Sequence, residues 1–92
     1  MHFSTKDEVK AHILYKLARK GRWGAKHTEF IHCTKSLPRE WEGKADELAQ
    51  ELIDEGLLLQ WRKTGQFHVS LNPRKGAEIK EFVGAHLGAV FW

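Results

Sequence analysis

Ninety-two residues with 41% hydrophobic and 29% charged content make one soluble domain with one modest core, and they exclude a disordered chain. The one cysteine, Cys33, excludes an internal disulfide framework. The net charge of +3 is unevenly spread: residues 1–36 carry eight Lys/Arg against three acids, 37–56 two against seven, and 57–92 five against two, a segregation that implies electrostatically distinct faces.

The opening "MHFSTKDEVK" lacks the apolar stretch of a secretory leader, and no apolar run approaches the roughly 20 residues that span a bilayer. The expected location is the cytoplasm, with no membrane partner.

Thr5-Lys6-Asp7-Glu8 reads as a capping box, and Val9, Ile13, Leu14 and Leu17 follow at helical spacing until Gly21. This predicts a helix over about 6–20. "RWGAKH" allows an extended residue or two around Trp23. Thr28 as N-cap with Glu29 in the first turn predicts a short second helix, about 28–36, ended by Pro38. "LPREWEGK" reads as a turn. Ala45, Leu48, Ala49, Leu52 and Ile53 form the apolar stripe of a third helix that Gly56 closes.

From Leu57 the period becomes two. Strands are expected over about 57–62 and 66–71, joined by the turn "RKTG". Leu57, Leu59 and Trp61 would share one face, with Trp61 in the core; Phe67, Val69 and Leu71 would share another. Asn72-Pro73 starts a last helix carrying Ile79, Phe82, Val83, His86 and Val90. The apolar end "GAVFW" either folds back or meets a second copy, with Phe91 and Trp92 as dimer-interface candidates.

Helix, extended piece, helix, turn, helix, hairpin and helix follow in that order. With the "LIDEGLL" junction, this order resembles the winged helix-turn-helix superfamily over about Thr5–Leu71, leaving 72–92 as an added helix and tail. "GAKHTEF", "ELIDEGLLL" and "TGQFHVSLNP" are similar to small uncharacterised archaeal winged-helix proteins. The resemblance implies an α+β fold, a three-helix bundle with a β-hairpin wing. It also implies double-stranded DNA as partner and a regulatory role in transcription, with the third helix meeting the major groove.

The residues expected to bind DNA are Lys26, His27 and Thr28 at the second helix start, Arg39 and Lys44 around the tip of the third helix, and Arg62, Lys63 and Thr64 on the wing. The face of the third helix opposite its apolar stripe carries Gly43, Glu47, Gln50, Glu51 and Asp54, which opposes deep groove insertion because carboxylates repel phosphates. A basic protein partner on this acidic helix is the competing expectation; pairing of its acids with the first helix is the plain structural one.

His27, His32 and Cys33 are the one cluster with metal-ligand chemistry, and their i, i+5, i+6 spacing does not place three ligands on one side of a helix. No cofactor motif appears. His32 and Cys33, adjacent on a helix, point about 100° apart and do not form a nucleophile–base pair, so no enzyme is expected.

Overall fold

A computed structural model describes residues 2–35, 37–63 and 65–88. Its elements are α1 (Lys6–Arg19), β1 (Thr28–Glu29), α2 (Ile31–Thr34), α3 (Arg39–Glu42), α4 (Ala45–Asp54), β2 (Leu58–Lys63), β3 (Gln66–Leu71), a 3₁₀ turn (Pro73–Lys75) and α5 (Gly76–Leu87). The described residues form an α+β fold of five α-helices and a three-stranded antiparallel sheet in the order β1-β3-β2.

Local chemistry fixes the ends of α1. Thr5 Oγ1 accepts from Glu8 N at 3.2 Å, and Glu8 Oε1 accepts from Thr5 N at 3.0 Å, completing the capping box. At the other end Arg22 N bonds Leu17 O and Gly21 N bonds Ala18 O, with Gly21 at φ 68°. This is a Schellman closure, and the left-handed residue it needs is glycine. The same device ends α4: Leu57 N bonds Leu52 O, Gly56 N bonds Ile53 O, and Gly56 has φ 81°.

That second closure sets the parity of the hairpin. Leu57 is consumed in the turn, buried against the core, so the strand begins at Leu58. Leu58, Gln60 and Arg62 then pair with Leu71, Val69 and Phe67 on the helix-facing side, while Leu59 and Trp61 pair with Ser70 and His68 on the other. A slip of one residue inverts every side chain. Trp61, expected in the core, is 37% exposed, and Leu58 at 2% takes the inward place.

The second helix also departs from expectation. Thr28 is not a cap; it lies in β1, buried, opposite Val69, and α2 is a single turn beginning at Ile31. Pairing with β3 outweighs the local capping preference, because Phe30 N bonds Phe67 O at 2.9 Å and holds the chain extended up to that point. "LPREWEGK" holds the turn of helix α3, broken from α4 at Gly43-Lys44. The expected extended piece is present, with Trp23 bridging Leu71. Asn72 caps the 3₁₀ turn, its Oδ1 accepting from Arg74 N and its Nδ2 donating to Gly56 O, and α5 follows.

The core joins Val9, Ile13, Leu14 and Leu17 of α1 to Leu48 and Leu52 of α4, Val69 and Leu71 of β3, and Ile79 and Val83 of α5. α1 packs against both α4 and α5. The apolar face of α5 is thus occupied within the chain. Val90, Phe91 and Trp92 lie outside the described residues. Among the described residues no helix is long and apolar enough to cross a membrane.

Candidate nucleic-acid interface

The first turn of α4 and the hairpin lie side by side. Asp46 and Gln50 of α4 line one open groove of about 370 Å³ with Gln60, Arg62 and Phe67 of the hairpin. The Arg62 guanidinium sits 5.7 Å from the Phe67 ring centre, so an exposed cation is braced at the groove wall by a cation–π contact. Across Asp46 and Phe67 the surface continues into a second groove of about 310 Å³, lined also by Glu29, Phe30, Ile31, Thr34 and Gln66.

Lys44 immediately precedes α4, exposed, with Nζ 5.4 Å from the Trp41 ring centre. Arg39 opens α3 and is exposed. Lys63 closes β2 opposite Gln66; its side chain and Thr64 lie outside what the structure describes. Lys26 sits elsewhere. Its turn is tied to one end of β3 through Gly24 N bonding Leu71 O, so Lys26 is separated from the Gln66 end of the hairpin by about the length of β3, roughly 17–20 Å. The anion-binding helix start expected at Lys26, His27 and Thr28 is not formed, since no helix begins there. Thr28 Oγ1 instead meets His32 Nδ1 at 3.3 Å.

The acids of α4 divide in two. Glu55 lies 2.8 Å and Glu51 3.4 Å from Lys10 Nζ, and Glu51 also faces Lys6 at 3.7 Å. The Lys10 side chain is 4% exposed. Burial by itself lowers the Lys10 pKa, but the hydrogen bonds and charges of Glu55 and Glu51 outweigh it and hold the ammonium above its ordinary value. Asp54 accepts from Gln50. Asp46 and Glu47 remain exposed, as do Glu40 and Glu42 of α3.

On the outer side of the sheet His27, from the segment before β1, stacks on Trp61 of β2 with ring centres 5.0 Å apart and planes 24° apart. Its Nδ1 lies 2.9 Å from Nδ1 of His68, whose Nε2 meets Gln66 Oε1 at 3.2 Å. With that oxygen accepting, His68 donates from Nε2 and takes the His27 Nδ1–H at its own Nδ1. Trp61 Nε1 donates to Ser70 Oγ at 2.9 Å. The alternation of Phe67, Val69 and Leu71 already sets His68 on this face; Trp61 was hidden because its strand begins one residue later than expected. A basic depression at the end of α1, lined by Lys16, Arg19 and Lys20, was legible only as helical i, i+3, i+4 spacing.

Among the described residues no three His, Cys, Asp or Glu side chains stand together at metal-binding spacing. His27 and His32 turn to different partners, and Cys33 is buried. Burial pushes the Cys33 thiol up to about 11, against the opposing charges of Lys16, Lys20 and Arg22. At pH 8 Cys33 should therefore react with a thiol-specific disulfide reagent at least tenfold more slowly than the same chain in denaturant, because the thiolate is the attacking form. Equal rates would show the thiol to be accessible.

Comparison with protein-family models, with curated proteins and with solved structures finds no match for this chain.

Proposed function

We propose that the chain is a winged-helix protein that binds double-stranded DNA and regulates transcription, holding phosphates with Arg39, Lys44, Arg62 and Lys63. The observation that carries this reading is the shared groove between the first turn of α4 and the hairpin, with Arg62 on its wall. In that arrangement a helix tip and a wing can meet one duplex together. Lys10 removes an objection to it: the distal acids Glu51 and Glu55 are drawn inward, so part of the negative charge of α4 is compensated within the protein. Asp46 and Glu47 stay outside and limit direct readout to the helix tip. The binding is therefore weak and dominated by phosphates.

Anisotropy of a labelled mixed-sequence duplex across a salt series tests it. Four neutralised phosphates give a log–log slope of about −4, and Arg62→Ala/Lys63→Ala should cut it by about 2. Absence of binding at low salt would sink the DNA reading. The exposed acids Glu40, Glu42, Asp46 and Glu47 would then favour the second reading, an adaptor for a basic protein, which Asp46→Lys/Glu47→Lys should abolish.

A further inference from the structure

The outer face of the sheet is built differently from the groove on its other side. Trp61 is one of two large apolar side chains exposed among the described residues. It is also held in place on two sides, by the Ser70 hydroxyl at its indole nitrogen and by the His27 ring against its face. His27 is held in turn by His68, and His68 by Gln66. A pair of rings fixed this way loses little freedom when a further flat ring settles against it. The surface around it is polar, since the tautomer that satisfies both contacts leaves His27 Nε2 as an acceptor.

The charge beside this face is positive. Exposed Lys26 directly precedes His27. Gly24 in the same turn lies against Pro73, where a Cβ would stand 3.3 Å from Pro73 Cγ. That contact seats the turn of Lys26 against Pro73, whose neighbour in sequence, Arg74, is exposed. Glu29, opposite His68 in the register, is an acid at the edge of this face and also lines the second groove. An apolar protein partner would meet histidines and cations here. A duplex would present its bases already stacked. A flexible polyanion with free π-faces satisfies both parts of the surface.

We infer that the outer sheet face binds single-stranded nucleic acid, an unpaired base stacking on the Trp61–His27 platform while Lys26 and Arg74 hold its phosphates. This site is separate from the groove assigned to duplex DNA, and either can fail without the other.

The test is anisotropy with labelled oligouridylate and oligothymidylate twelve-mers at low salt, on the whole chain. Trp61→Ala should weaken binding about tenfold, with Trp61→Phe in between and Glu29→Gln tighter than wild type. Arg39→Ala/Lys44→Ala, which addresses the duplex groove, should leave it unchanged. The tighter of the two oligomers shows which is preferred, and either one bound in this pattern supports the proposal. No binding by the wild type overturns it, as does unchanged binding by a Trp61→Ala variant with a native melting profile. Loss in Arg39→Ala/Lys44→Ala also overturns it, by moving the strand to the other groove. Should Trp61→Ala unfold, Trp61→Phe and His27→Ala carry the test, and wild-type affinity in both overturns the proposal.

Discussion

Ile79→Ala should destabilise the protein by about 3 kcal/mol and lower its melting temperature by roughly 15 °C. Ile79 is fully buried, and α5 lies on α1 with Val83 beside it in the same core. Removing the branched side chain loses its transfer free energy and leaves a cavity that the surrounding packed helices fill only in part. Lys80→Ala, on the exposed side of the same helix, should change stability by less than about 0.5 kcal/mol. Urea unfolding of both variants checks this. Equal midpoints would mean that α5 is an appendage and that its apolar face is available to a second copy.

Lys10→Ala is the second large effect. The ammonium is enclosed between Glu51 and Glu55, and its Nζ lies 5.9 Å from the Phe82 ring centre. Breaking a fully buried pair costs about 3–5 kcal/mol, but here both carboxylates are partly exposed and can rehydrate. The expected loss is about 2 kcal/mol, part of it from the packed stem. Lys10→Met keeps the stem and should cost less. The pH dependence separates charge from packing. The Lys10 pKa is raised by folding, so its stabilisation is complete below the unfolded value of 10.5 and is lost as pH rises through the folded value. Thermal unfolding between pH 9 and 12 should show an alkaline loss in both proteins, because the buried Cys33 thiol favours the unfolded chain there, and a larger loss in the wild type than in Lys10→Met. A parallel loss in both would remove Lys10 from the account.

What could be read from the sequence was whatever short-range chemistry decides. Thr5 with Glu8, Gly21, Gly56 and Asn72 each settle the end of a helix or helical turn through atoms a few residues away, and they stand where the spacing predicts. The apolar stripe of α4 is likewise local. What failed depends on distant partners. Thr28 looks like a helix cap until Val69 takes it into a sheet. The side of the sheet on which Trp61 lies turns on whether Leu57 belongs to the strand or to the closure of α4. Lys10 occupies a position that a solvated lysine would also occupy, and its burial needs α4 and α5 in place. The candidate site divides the same way: Arg62 is on a hairpin visible in the alternation, while the meeting of His27 with Trp61 crosses three strands.

The packing of α1 on α5 has a bearing on how the chain acquires its fold. Asp7 and His86, near opposite ends of the described chain, stand 4.0 Å apart, so the contact that closes the core has a very large sequence separation. Contacts of this kind form late, after the local helices and the hairpin, and slow the overall rate. A chain still leaving the ribosome can build α4 and the hairpin while one flank of α1, with its apolar side chains, waits uncovered for α5. The interval before α5 emerges is when this protein is most exposed to aggregation or to a chaperone.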